Sequence, residues 1–376
     1  MTQRLSNRVP DIWQGLRWAA QPGAEGGGTS RQRLLWRTLK ATMGHGKALK
    51  RWMTIVFDLH SRQIIRDLPG EYLRAVRPYV HRHTGYDERV VQLIDHMDWL
   101  EGALHSKAFE RLASGQPLVL AELAPPRGCD FMRLQLQQAP PQSPEGELLL
   151  TLSLQRSADV QHKAQPVDAG VIAFSCFRVD GIACMAIGGV RGQRHASQRM
   201  SATEINQALQ GWKPAVLMIR VAQELVRYWG LHLLGLDPAA HRLRGWSYQW
   251  NKRYREGAQR IFASYDALWE HFEVTNGPPG WVNVPLNSDE KLSATALSPE
   301  KRERQTRRAD YWIRTRNLLR QQFKLLLQRP TREASVSRVT QVMDLNGLGT
   351  GESPEFDDSA DAVPSRVLQS GPASLL

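Results

Sequence analysis

Apolar residues recur along this chain in two periods, a helical one toward both ends and a strand-like one in the middle. From Arg31 to Asp58, Leu35, Leu39 and Met43 fall four apart and share one helix face, with Leu34, Trp36, Leu49 and Trp52 around them. Gly44-His45-Gly46 breaks that run in two. Tyr72 to Phe109 also reads as helical. Its stripe of Val90, Val91, Leu93, Ile94 and Met97 continues into Trp99 and Leu100, and Asp87 is placed to cap it. The period then shortens. Pro117–Leu123, Phe131–Leu136 and Leu148–Leu154 read as strands, with Pro140, Pro141 and Pro144-Glu145-Gly146 forming a turn before the third. Val171–Phe177 and Ile182–Ile187 are continuous apolar runs on either side of Asp180-Gly181, the pattern of a central hairpin.

Helical signals return after Ser201. Ser201-Ala202-Thr203-Glu204 is a capping-box sequence. Pro214 suits the first turn of an apolar helix, Ala215–Trp229, and Gly230 suits its left-handed cap. Leu231–Leu236 is a short strand. Trp250–Phe272 and Pro299–Leu327 read as helices, and Tyr265, Leu268, Trp269 and Phe272 have the spacing of a core face. The order of elements predicts an α+β fold with a central mixed or antiparallel sheet and flanking helices. One domain spans residues 31–329. A loose, glycine-rich arm over residues 1–30 and a disordered, acidic tail over residues 330–376 flank it.

Charge sharpens this division. The 376 residues carry a net charge of +12. The excess is concentrated in Met1–Trp52 and Pro299–Arg332, while Glu333–Leu376 is acidic, so the middle is nearly neutral. A basic chain favours acidic partners, here anionic envelope lipid or glycolipid ahead of nucleic acid. The basic helix after Arg31 either lies on such a surface or packs on the body with its Lys and Arg in water. No apolar run reaches bilayer-spanning length, and the start of the chain lacks the apolar segment of an export signal. Cys129, Cys176 and Cys184 include no CxxC pair. In a two-residue hairpin Phe177 opposes Cys184, which puts Cys176 and Cys184 on opposite faces and unable to bridge. These features predict a reduced, cytoplasmic protein.

Candidate chemistry is sparse. His81 and His83 stand without an HExxH or Cys/His set, so no metal site is expected. No Gly-x-Ser-x-Gly nucleophile elbow occurs. The segment GGVRGQR follows an apolar strand. Its Gly188, Gly189 and Gly192 can let backbone approach a phosphate that Arg191 and Arg194 neutralise, or can simply make a tight turn. Strand, glycine segment, helices and strand in this order loosely resemble the acetyl-CoA-dependent acyltransferases, for which the ligand is acyl-CoA or an acyl-carrier. A second cationic set is Arg253, Arg255, Lys301, Arg302, Arg307 and Arg308, interleaved with or following aromatics, and it suits a polyanion or a solvated helix face.

Several spaced motifs together resemble the VirK/YbjX family of Gram-negative bacteria. They are Arg77-Pro78-Tyr79 with Arg89 and His96, the strand Leu148–Leu154, Ile187–Gly192, Gly211-Trp212-Lys213-Pro214, and Leu234-Gly235-Leu236-Asp237 with His241. Tyr265-Asp266-Ala267-Leu268-Trp269, Gly280-Trp281 before Pro285, and Ser298-Pro299-Glu300-Lys301-Arg302 complete the set. Where that family shows a Ser/Asn-rich stretch, this chain has Asp237-Pro238-Ala239-Ala240. The resemblance implies a cytoplasmic bacterial protein linked to virulence, envelope integrity and stress responses, including DNA damage. It implies no established reaction and no catalytic residues.

Overall fold

The computed structural model describes residues 11, 13–22, 24, 30–77, 79–125, 129–156, 166–192, 201–244, 264–286 and 298–328. Six helices come first: α1 (Gln14–Ala20), α2 (Arg31–Gly44), α3 (Gly46–Ser61), α4 (Leu68–Arg74), α5 (Tyr86–Ala103) and α6 (Ser106–Ala113). Five strands follow: β1 (Leu118–Leu123), β2 (Cys129–Gln138), β3 (Leu148–Arg156), β4 (Val167–Val179) and β5 (Ile182–Gly192). Helices α7 (Ala202–Ala208) and α8 (Pro214–Trp229) lead to β6 (His232–Leu236). A helix over residues 264–271 (α9) precedes β7 (Thr275–Asn276), β8 (Trp281–Asn283) and α10 (Pro299–Leu326).

The strands form one mixed sheet in the order β1-β2-β3-β4-β5-β6-β8-β7. β1 to β5 are an antiparallel meander, which short local turns can connect. β6 lies parallel to β5, so the chain must cross over a face of the sheet between them, and α8 does so. The hairpin at Asp180-Gly181 has the expected register, with Phe177 opposite Cys184. Both turn residues have positive φ, 51° and 78°, which Asp and Gly tolerate best. The local caps of α7 and α8 form as the sequence predicts: Ser201 and Glu204 make a capping box, and Gly230 sits at φ 68°.

β4 and β5 are apolar throughout because helices cover both their faces. Phe174, Cys176, Met185 and Ile187 pack with Leu217, Val221 and Leu225 of α8 and with Leu319 and Phe323 of α10. Phe177, Cys184 and Ala186 face the N-terminal helices through Trp52, Tyr72, Leu93 and Ile94. The two cysteines therefore lie in different cores, and both thiols are free.

Four local expectations change. Tyr72–Phe109 is not one helical stretch but the end of α4, a bridge at His81, α5 and the start of α6. Gly85, not Asp87, caps α5, and Asp87 instead pairs with His45 at 3.0 Å. The buried face of α2 is Leu34, Thr38, Ala41 and Thr42, while Trp36 and Met43 are 55% and 75% exposed. The two threonines can face inward because their hydroxyls bond carbonyls one turn back, at 2.8 Å each, leaving only methyl groups to pack. Within the segment expected to be a loose arm, Gln14–Ala20 is helical and Trp18 packs edge-on against Tyr72 at 5.5 Å. The expected acidic tail lies outside the described residues. No helix among the described residues is long and apolar enough to cross a membrane.

Candidate functional site

The parallel pairing of β5 and β6 runs for four residue pairs, from Cys184 with His232 to Ile187 with Gly235. It then stops. On its other edge β5 continues along β4 to Gly192, and the register slips by one residue at Gly188, between the pairs Phe174–Ile187 and Ala173–Gly189. Gly188 is thus an inserted residue that bends the strand away from β6. The backbone N–H of Val190, past the bend, donates to the Tyr265 hydroxyl of α9 at 2.8 Å instead of to a strand. The carboxyl ends of a diverging parallel pair are where open sheets bind ligands, because backbone groups and following loops converge there.

Side chains from four segments meet at this end. Glu145, in the turn between β2 and β3, lies over the bent strand. Its carboxylate takes the Arg191 guanidinium at 3.1 Å and approaches that of Arg242 at 3.9 Å. Among the described residues one acid is shared between two arginines in a half-buried setting, an arrangement that suits an anionic group. Burial raises the Tyr265 hydroxyl above its ordinary range, and the charge of Glu145 adds to this, so the phenol keeps its proton at neutral pH. Tyr265 can then donate while it accepts from Val190.

His81 and His241 pair across an isolated antiparallel bridge beside this cluster. Burial lowers each to about 4, helped for His81 by His83 and Arg89, and for His241 by Arg242 and Arg244. Each ring accepts a backbone N–H through Nδ1, from His83 at 3.3 Å and from Leu243 at 3.1 Å. Both are neutral rings protonated on Nε2. Their role is to tie the chain after α4 to the chain after β6.

Gly188, Gly189, Arg191 and Gly192 all lie within β5 rather than in a turn, and Arg194 lies outside the described residues. The glycines serve close packing first. A Cβ on Gly188 would stand 2.3 Å from the Glu145 carbonyl oxygen, and one on Gly189 would stand 2.4 Å from the Glu145 carboxylate. A Cβ added at Gly192 would meet no atom of the described residues within 4 Å. Sequence reasoning brought Arg191 forward with the glycines, and Tyr265 and Arg242 among interleaved aromatic and basic residues, but it did not join them and it missed Glu145, read only as part of a turn. The signal for Glu145 was an acid in an otherwise Pro- and Gly-defined turn.

Of the second cationic set, Lys301, Arg302 and Arg307 are exposed on the first half of α10, with Arg307 3.8 Å from Glu303. Arg308 instead stacks on the Trp212 ring at 4.6 Å. Arg253 and Arg255 lie outside the described residues. Among the described residues no three His, Cys, Asp or Glu side chains gather to hold a metal ion.

The fold is α+β, and Glu145, Arg191, Arg242 and Tyr265 cluster at the strand end. The chain belongs to the family described as protein of unknown function (DUF535), which matches residues 29–313. Neither a curated protein nor a solved structure matches it.

Proposed function

We propose that this chain is a cytoplasmic VirK/YbjX-type protein acting in envelope-related or stress physiology, and that its diverging strand end binds the phosphates of an acyl donor, acyl-CoA or acyl-carrier. The observation that carries the second part is the pairing of Arg191 and Arg242 with Glu145, set where β5 bends away from its parallel neighbour. The gap leaves backbone groups of β5 beyond Ile187 without a β6 partner, the arrangement an extended ligand can pair with. The protonated Tyr265 hydroxyl is placed to donate to a carbonyl or leaving group there. No general base is assigned.

Thermal shift with lauroyl-CoA, free CoA and a lauroyl-loaded acyl-carrier protein tests this. A ligand at a hundred times its dissociation constant adds about 2.7 kcal/mol of stability, so melting rises by several degrees. Arg191→Ala should remove most of that rise. No rise with any of the three at saturating concentration overturns the reading.

A second reading rests on the exposed Lys301, Arg302 and Arg307 of α10, a face suited to an anionic lipid or glycolipid surface. Binding to vesicles containing phosphatidylglycerol should fall steeply between 50 and 300 mM salt, on the order of a Debye-length effect at about 10 Å. Salt-insensitive binding, or none, removes it.

A further inference from the structure

Helix α2 turns outward much of the face that its apolar spacing marked for the core. Leu34, Thr38, Ala41 and Thr42 anchor it to the body, while Trp36 and Met43 stand in water and Leu39 is half-buried. Trp36 and Met43 are seven residues apart, so they share one side of the helix, about 10 Å apart along its axis. Arg33 and Lys40, also seven apart and exposed, run beside them, with Arg37 half-buried at the edge. Lys47 and Lys50 of α3 carry exposed charge on past Gly44.

These bases do not serve the helix itself. Between Glu25 and Asp58 the chain has seven Lys and Arg and no Asp or Glu, so α2 has no i,i+4 ion pair of its own. Arg31 and Arg33 lie in its first turn, where the helix dipole disfavours positive charge, and no acid offsets them there. Among the described residues the one ion pair at this stretch is His45 with Asp87, beyond the end of α2.

A single exposed apolar side chain needs no explanation. Two on one side of a helix, with a row of bases beside them, match what a bilayer surface takes: apolar groups enter the acyl boundary while Lys and Arg meet the headgroups. Other occupants fit less well. A second copy would bring this basic face against its like. A nucleic acid uses bases and a stacking aromatic, but gains little from an aliphatic side chain such as Met43.

We propose that the outward face of α2 docks on a bilayer with anionic headgroups, Trp36 and Met43 entering the acyl boundary and Arg33, Lys40 and Lys47 meeting the phosphates. The face is distinct from the strand end and from the cationic half of α10, and neither of those readings is needed for it.

The test is flotation of the full chain with vesicles of phosphatidylcholine, alone or mixed with phosphatidylglycerol, at low ionic strength. The parent should float with the mixed vesicles and not with phosphatidylcholine alone. Met43→Ser and Trp36→Ser should each weaken binding about tenfold, since each removes an inserted apolar side chain. Trp36→Phe should keep most of the affinity. Lys40→Gln should lose about fivefold, the usual worth of one base near an anionic surface. Replacing Lys301 and Arg302 by Gln should leave the Met43 and Trp36 effects in place. Met43 is the more exposed of the two, so M43S decides the matter if W36S does not fold. No flotation with the mixed vesicles overturns the proposal. So does full-strength binding by folded M43S, the result expected if α10 alone meets the lipid. Binding of a DNA duplex that W36S weakens, with no vesicle binding, also overturns it and assigns the face to nucleic acid.

Discussion

Replacing Gly188 by alanine separates close packing from ligand approach as the reason for the glycines of β5. The added Cβ would lie 2.3 Å from the Glu145 carbonyl oxygen and 2.8 Å from a Val80 methyl, both under the 3.0 Å that real Cβ atoms respect. Neither neighbour is free to give way. The turn that carries Glu145 is held by Val80 N–H to the Pro144 carbonyl at 2.8 Å and by Glu147 N–H to the Phe174 carbonyl at 3.0 Å. Overpacking against fixed backbone costs about 3 kcal/mol, the upper part of the usual range, which lowers melting by roughly 5 °C in a chain of this size. At Gly189 the obstacle is the Glu145 carboxylate, the mobile end of a side chain, so Gly189→Ala costs about 1 kcal/mol and displaces that acid from Arg191. At Gly192 an added Cβ meets no described residue within 4 Å, and Gly192→Ala stays within about 0.5 kcal/mol of the parent. Urea denaturation followed by tryptophan fluorescence ranks the three. Equal stability of G188A and the parent, or equal losses at 188 and 192, would refute the packing argument.

Two further outcomes follow from buried charge. His81, His96 and His241 are all held neutral by burial, at about 4, 3 and 4. Below the ordinary histidine value of about 6.5 the unfolded chain binds protons that the folded chain refuses, so stability falls as pH falls; at pH 5 each contributes roughly 2 kcal/mol of loss. Glu147 acts in the opposite sense. Burial raises it to about 7 against the pull of Arg74, so the folded chain binds its proton first and gains stability as pH drops from about 7 toward 4.5. Urea midpoints from pH 7.5 to 5 should fall, and less steeply in His96→Gln; a flat or rising profile, or an unchanged slope in the variant, contradicts the assignment. Elsewhere, Glu224 of α8 is 3% exposed and receives Arg227, Arg316 at 2.8 Å and Arg320 at 3.2 Å, which clamp α10 onto α8. Glu224→Gln should cost roughly 2 kcal/mol, below the usual loss for breaking a buried pair because Arg316 and Arg320 keep contact with water; guanidinium denaturation with no measurable change would mean the clamp is idle.

What was legible in the sequence is what neighbouring residues decide among themselves. Asp180-Gly181 sets the β4–β5 hairpin because two adjacent residues accept positive φ, and the register then follows. Pro214 and Gly230 bound α8 because each acts within one turn of helix. The periodicity that assigned Tyr265, Leu268, Trp269 and Phe272 to a core face was sound, for all four are buried. It was silent about the Tyr265 hydroxyl, since a spacing rule weighs the ring and not the oxygen at its tip. On α2 the rule chose the wrong face, because it counts threonine as polar while Thr38 and Thr42 satisfy their hydroxyls on the helix itself.

The candidate site escaped for a related reason. Its members come from positions 145, 191, 242 and 265, and nothing local ties them. Glycine is the harder case, since the same residue serves a phosphate and a packed neighbour alike. Gly235 leaves room for the Trp269 ring, to which a Cβ would come within 2.6 Å, and Gly280 leaves room for the His81 ring at 3.2 Å. In this chain motif glycines mark places where an aromatic or a turn presses on backbone, so the glycines of β5 do not by themselves argue for a phosphate. The turn's two acids, Glu145 and Glu147, are what the glycines position. They flank Gly146, whose φ of 146° and contact with the Phe174 backbone, 2.6 Å from an added Cβ, hold the turn in one conformation. That conformation sends one acid to the arginines at the strand end and the other to Arg74 under the sheet. A substitution at Gly146 should therefore disturb both ion pairs at once, whereas Glu145 and Glu147 can be altered one at a time.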